Sequence, residues 1–210
     1  MIKVIIADDH PIVRAGLKQI IAEDRDITVA AEAANGSDLL GQVRREDFDV
    51  ILLDLSMPGM DGLDVLKQLK IEKPRTPVII LTIHPESQYA LRILKAGASG
   101  YLTKESASDE LIKAIRKVNN GGKYISPSLA EKIAYALDED AGALPHEALS
   151  DREYQVLCLI GSGKTVSQIA DALALSVKTV STYRTRILEK MHMQNNAELI
   201  HYAVQNSLVE

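Results

Sequence analysis

Three carboxylates, a hydroxyl and an ammonium stand where short apolar runs end. Asp8 and Asp9 follow Lys3–Ala7, Asp54 follows Val50–Leu53, Thr82 closes Val78–Thr82, and Lys104 comes soon after Gly100–Leu102. Carboxylates brought together repel one another unless a cation enters, and clustered oxygen ligands suit Mg²⁺. Thr82 supplies a hydroxyl and Lys104 a compact positive charge for phosphate oxygens. Together these groups describe a site that makes and holds an aspartyl phosphate. Any one acid alone is better read as a strand-end turn residue; their order along the chain carries the chemical reading. His10 and His84 read as loop residues lining this pocket, not as metal ligands.

A second set lies toward the other end. Lys178, Ser181, Thr182, Thr185 and Arg186 share one helix face, opposite Val180, Ile187 and Leu188, which pack with Ile169, Ala170 and Leu173. A DNA recognition helix needs short polar side chains at base edges and basic ones at phosphates. The plainer reading of that face is a solvated helix surface. One such helix makes a small interface with duplex DNA, so a symmetric homodimer on paired half-sites is expected.

The elements that must position these groups follow from hydrophobic spacing. Lys3–Ala7, Thr28–Ala33, Val50–Leu53, Val78–Thr82 and Gly100–Leu102 are almost continuously apolar, as in a parallel sheet covered on both faces. Val13–Ala22, Ser37–Arg45, Leu63–Ile71, Gln88–Ala96 and Asp109–Asn119 have helical spacing. The alternation predicts an α/β doubly wound, five-stranded parallel sheet with right-handed crossovers. Its binding crevice is expected at the carboxyl ends of the strands. The sheet domain takes residues 1–120. Residues 121–149 read as a linker, partly helical over Ser128–Leu137 and then acidic. Residues 150–210 form a small all-α, four-helix domain. Capping signals are dense there: Ser150-x-x-Glu153, Thr165-x-x-Gln168, Ser176 before Thr179–Met191, and Asn195 before a helix through Val204.

Charge and composition bound the function. The net charge of −5 argues against nucleic acid if averaged over the chain. Its distribution says more: residues 150–210 carry 6 basic and 6 acidic residues, and four of those bases fall between Lys178 and Lys190. A local basic stripe outweighs whole-domain charge. No apolar run approaches the roughly 18–20 residues of a membrane span. The start, Met1–Asp9, has neither the basic flank nor the cleavage site of a signal peptide. The single Cys158, in an apolar run, excludes an internal disulfide framework and reads as a buried core thiol. A cytoplasmic protein with no membrane partner fits these features.

Ala-Asp-Asp-His-Pro (7–11), Leu-Leu-Asp-Leu-Ser-Met-Pro-Gly-Met-Asp-Gly (52–62), Leu-Thr (81–82) and Gly-Tyr-Leu-Thr-Lys (100–104) resemble the receiver of two-component response regulators. Leu149–Leu157, Gly163–Ala170 and Leu175–Met191 are similar to the LuxR-type helix-turn-helix of the NarL/FixJ group. The resemblance covers nearly the whole chain apart from the linker. It implies a flavodoxin-like receiver phosphorylated on Asp54 by a sensor histidine kinase. It also implies Mg²⁺ on Asp8, Asp9, Asp54 and the Ser56 backbone carbonyl, phosphoryl contacts from Thr82 and Lys104, and a switch role for Tyr101. In the helical domain it assigns Ser181, Thr182 and Thr185 to bases, and Lys178, Thr179, Arg184 and Arg186 to phosphates.

Control of double-stranded DNA binding and transcription would follow, with RNA polymerase as a further partner. Glu105 stands where many receivers carry proline, which leaves the local peptide geometry open. The last helix is similar to the family's dimerisation helix, with Ile200 and Val204 either as contacts or as core. Thr179–Arg186 resembles the GacA/UvrY branch in particular. A Mg²⁺-dependent phosphohydrolase is the enzymatic alternative, but such enzymes usually place an acid where this chain has Ser56. A DNA-binding regulator that ignores phosphate would not need every pocket group retained. The receiver's own phosphorylation and hydrolysis act as a slow timer, so a regulator is expected and not an enzyme.

Overall fold

Five runs rich in valine, isoleucine and leucine become strands, each followed by an amphipathic helix. They are β1 (Ile2–Ala7), α1 (Pro11–Ala22), β2 (Ile27–Ala33), α2 (Gly36–Arg45), β3 (Val50–Leu53), α3 (Gly62–Glu72), β4 (Val78–Thr82), α4 (Glu86–Lys95), β5 (Gly100–Thr103) and α5 (Ala107–Asn119). The strands form one sheet in the order β2-β1-β3-β4-β5, with parallel pairing throughout. This is the doubly wound arrangement that the hydrophobic spacing predicts. The computed structural model describes residues 1–83, 86–127, 129–131, 144–206 and 208–209, in two compact units, Met1–Lys132 and Ile133–Glu210.

Alternation along the strands divides the core. Val4, Ile6, Val50, Leu52, Ile79, Leu81 and Leu102 meet Leu17 and Ile21 of α1 and Leu111, Ile115 and Val118 of α5. The intervening Ile5, Ile51, Leu53 and Ile80 face the other layer and are equally buried. Each such side chain contributes about 1.5–3 kcal/mol by leaving water. Helix α1 begins two residues before the predicted Val13. Pro11 explains this, since its fixed φ suits the first helical turn and its missing N–H has no partner to lose there.

The chain beyond α5 does not leave the sheet at once. The Tyr124 N–H donates to the Ser99 carbonyl at 2.8 Å, and the Tyr101 N–H donates to the Tyr124 carbonyl at 3.3 Å. Tyr124 thus pairs along the outer edge of β5, and Leu129 is buried a little further on. The first part of the segment read as linker therefore packs within the first unit. Its predicted helix, 128–137, falls mostly outside the described residues.

After a short 3-10 turn (Pro145–Ala148), the second unit contains α6 (Asp151–Gly161), α7 (Val166–Ala172), α8 (Val177–Lys190) and α9 (Asn196–Gln205). Every predicted cap forms. Ser150 with Glu153 and Thr165 with Gln168 close full capping boxes, while Ser176 and Asn195 accept from Thr179 and Glu198. Each cap is worth about 1 kcal/mol to a helix too short to persist alone. A tight turn through Ala174, at φ 52°, joins α7 to α8. Gly161 lets α6 approach α9 closely, because a Cβ there would lie 2.7 Å from that of Ala203. Cys158 is buried in α6, as its apolar neighbours predict.

Candidate functional site: an acidic pocket and a helix face

Strand register brings the acids together. Ala7 of β1 pairs with Leu53 of β3, so Asp8 and Asp54, the next residues on adjacent strands, emerge side by side. The Asp54 N–H donates to the Ala7 carbonyl at 2.9 Å and fixes that alignment. One strand further on, Thr82 pairs with Thr103, and the Lys104 N–H donates to the Thr82 carbonyl at 2.8 Å. Asp8, Asp9, Asp54, Thr82 and Lys104 thus stand at the carboxyl ends of four parallel strands, as expected.

Asp8 and Asp54 are each only 1 % exposed, and Thr82 is fully buried. Lys104 Nζ lies 2.7 Å from Asp8 Oδ2 and 2.8 Å from Asp54 Oδ2. The Ser56 N–H donates to Asp54 Oδ1 at 3.2 Å. Burial pushes the Asp54 carboxyl above its ordinary pKa, against the opposing pull of Lys104 and the Ser56 N–H. Burial also works against the charge of Lys104, but its bonds to Asp54 and Asp8 outweigh that and raise its pKa. Three carboxylates facing one ammonium leave an excess of negative charge in a largely buried cleft. A hard divalent cation suits that imbalance and the oxygen donors.

His10 sits closer to this cluster than a mere lining residue. One ligand atom from each of Asp8, Asp9, His10 and Asp54 lies within 4.8 Å of the others. His10 Nδ1 is 2.7 Å from Asp9 Oδ1, and its backbone N–H donates to Asp8 Oδ1 at 2.8 Å. Tyr101 is buried on β5, its ring inside the domain. Among the described residues every peptide is trans, including Lys104–Glu105. His84 lies outside the described residues.

Sequence reasoning missed Arg14. Its Nη1 donates to the Asp8 carbonyl at 2.7 Å and its Nε to Glu32 Oε2 at 3.1 Å, which holds the end of β1 in place. The signal was there: a base in the first turns of α1 opposes the helix dipole and calls for another reason.

In the second unit, Lys178, Ser181, Thr182, Thr185 and Arg186 all lie exposed on α8, opposite the buried Val180 and Ile187. The two remaining members of the predicted contact set, Thr179 and Arg184, are placed differently, and so is Lys190 at the end of the basic stripe. Thr179 is half-buried, with its hydroxyl 2.7 Å from that of the cap Ser176. Arg184 turns toward α9, where its Nε donates to Asn196 Oδ1 at 2.6 Å. Lys190 turns toward α6, 2.6 Å from the buried Glu153 carboxylate. Burial works against the charge of Glu153, but Lys190 and the Ser150 N–H hold its pKa below the ordinary value. The outward bases of the stripe are therefore Lys178 and Arg186. Ile200 and Val204 are 37 % and 57 % exposed, while Leu199 and Ala203 supply the buried face of α9. The reading of Ile200 and Val204 as core does not hold.

A parallel sheet with an acidic strand-end pocket, joined to a helix-turn-helix, defines a class of protein that pairs a receiver with a DNA-binding domain. The response regulator receiver domain model matches residues 4–116, and the model for bacterial regulatory proteins of the luxR family matches 147–203. The chain is 36 % identical over 209 residues to the response regulator UvrY of Escherichia coli K12, covering 99 % of this chain and 96 % of that one. It is 37 % identical over 211 residues to the response regulator GacA of Pseudomonas aeruginosa, covering 100 % and 99 %. A solved structure of RcsB from Salmonella enterica serovar Typhimurium, bound to promoter rprA with the phosphomimetic BeF3−, superposes with a TM-score of 0.65 at 30 % identity, covering 96 % and 98 %. The chain belongs to the NarL/FixJ-type response regulators of two-component systems, with a LuxR-type DNA-binding domain.

Proposed function

We propose that Asp54 accepts a phosphoryl group from a sensor histidine kinase, and that this controls binding of the second unit to double-stranded DNA as a homodimer. The observation that carries the reading is the convergence of Asp54 with Asp8, Thr82 and Lys104 at register-matched strand ends. An Asp54 oxygen attacks the phosphorus of the kinase phosphohistidine; the P–N bond breaks as the O–P bond forms, and the kinase imidazole keeps the leaving electron pair. Lys104 then shifts from carboxylate to phosphoryl oxygens, and Thr82 donates its hydroxyl proton to another. Asp8, Asp9, Asp54 and the Ser56 carbonyl would hold Mg²⁺, which when bound offsets the charge developing on those oxygens. The ring nitrogen of His10 stands beside that donor set. Tyr101 is the buried group next to Thr82's strand that responds to the change.

On α8, Lys178 and Arg186 contact phosphates, with Thr179 and Arg184 at its flanks, and Ser181, Thr182 and Thr185 face the bases. The exposed Ile200 and Val204 of α9 fit a dimer contact. This reading divides the chain into a receiver over 1–120 that Tyr124 and Leu129 extend, a linker over the rest of 121–149 and a DNA-binding domain over 150–210. It places the protein in the cytoplasm as a transcriptional regulator and not a turnover enzyme, with RNA polymerase a further partner. The direct test is treatment with acetyl phosphate and Mg²⁺, followed by intact mass and borohydride trapping. The expected result is one phosphoryl group on Asp54, absent from Asp54→Asn; a phosphoryl group on another residue, or none, would refute the proposal.

A further inference from the structure

At 3.6 residues per turn, Val177, Lys178, Ser181, Thr182 and Thr185 occupy an arc of about 140° on α8. Within that arc two hydroxyls are turned back on the helix. Thr182 Oγ1 donates to the Lys178 carbonyl at 3.0 Å, and Thr185 Oγ1 donates to the Ser181 carbonyl at 3.1 Å. A hydroxyl has a single proton, so neither has one left for an acceptor on a base edge. With the oxygen held against the backbone, tetrahedral geometry at Cβ directs the methyl away from that carbonyl, and both residues are exposed. Val177, at the tip of the same face, is 51 % exposed. Ser181 has no side-chain hydrogen bond among the described residues, so it is the free short donor of the stripe.

We infer that α8 reads thymine 5-methyl groups through an apolar ridge made of the Val177 side chain and the Thr182 and Thr185 methyls. The hydroxyl protons at 182 and 185 are committed to the helix, and the methyls carry the sequence preference. In the major groove, thymine alone among the bases presents a methyl, so this ridge selects A·T pairs in the half-site and the strand on which each thymine lies. This rests on the DNA-binding reading above and adds which chemical feature of the duplex is recognised.

The test uses the full chain, treated with acetyl phosphate, to select duplexes from a random-sequence pool. The enriched duplex is then remade with deoxyuridine in place of thymidine, which removes only the methyls. Affinity should fall by about fourfold for each thymine methyl that the ridge covers, the weight of one buried CH2 group. Thr182→Val and Thr185→Val, which keep a methyl and lose the hydroxyl, should keep a preference for the thymidine duplex over the deoxyuridine duplex. Thr182→Ser and Thr185→Ser should bind it more weakly, yet match wild type on the deoxyuridine duplex. Circular dichroism of each variant checks that α8 stays helical. Equal wild-type affinity for the two duplexes, or greater loss with valine than with serine, would overturn the inference while leaving DNA binding intact. Failure to enrich any duplex would overturn both the inference and the reading beneath it.

Discussion

The pocket and the recognition face are built on opposite principles. The pocket gathers residues from four strands that are up to 96 positions apart, Asp8 to Lys104, and buries them with their charges in contact. The face draws its outward residues from one helix, Val177–Lys190, and leaves them in solvent. Buried charges in contact interact strongly and are coupled to one another, whereas exposed contacts are individually weak and roughly independent. On the proposed function, the first region acts as a switch that fails as a unit and the second as a reader whose affinity is graded.

The largest effect should come from the pocket. Lys104→Ala leaves Asp8 and Asp54 facing each other without their shared ammonium, and phosphoryl oxygens without a cationic partner. Its rate of phosphorylation by acetyl phosphate should drop by about 10²–10³, the usual scale for one preorganised electrostatic interaction. A drop of only a few-fold would place Lys104 among the graded interactions and break the contrast.

On the reader, Lys178→Ala and Arg186→Ala should each weaken binding similarly for all duplexes. Each should also shallow the dependence of log K on log salt by about one, the signature of one phosphate no longer neutralised. Fluorescence anisotropy across a salt series measures this. A loss confined to one duplex sequence would move either residue from phosphate to base recognition.

The smallest effect concerns stability. Burial raises the Asp54 pKa in the folded chain, so its folded state holds a proton more readily than its unfolded state. The contribution of Asp54 to stability is therefore full below its unfolded pKa, near 3.8, and is lost as pH rises through the folded value. Above that folded value the ionised carboxylate is a liability. Asp54→Asn should raise the melting temperature of the first unit in chelator, and Mg²⁺ should narrow the gap. Thr185→Val, on the exposed face, should leave the melting temperature unchanged. A melting temperature lowered by Asp54→Asn would mean that its bond to Lys104 outweighs burial.

The two regions were also unequally legible. Asp8, Asp54, Thr82 and Lys104 each end a short apolar run, and parallel pairing turns that one-dimensional punctuation into a cluster. On α8, the outward face was equally readable from its period. Partners of individual charges were not: nothing in the spacing says that Arg184 turns to Asn196 or that Lys190 turns to Glu153. Ile200 and Val204 lie beside Leu199 and Ala203, and two overlapping i, i+4 pairs do not reveal which one packs. Residues 121–149 read as a linker, yet the Gly121-Gly122 pair that opens them breaks a helix without ending a domain. Tyr124 and Leu129 carry the first unit past it.

On the proposed function, phosphorylation of the pocket is coupled to DNA binding by the face of α8. Anisotropy titration of wild type and Asp54→Asn against the selected duplex, at matched salt and protein concentration, with and without acetyl phosphate and Mg²⁺, measures that coupling directly. Wild-type affinity should change by roughly 5–150-fold on phosphorylation, the range of 1–3 kcal/mol between linked sites. Asp54→Asn should not respond. Unchanged wild-type affinity, with Asp54 shown by mass to be phosphorylated, would contradict the account.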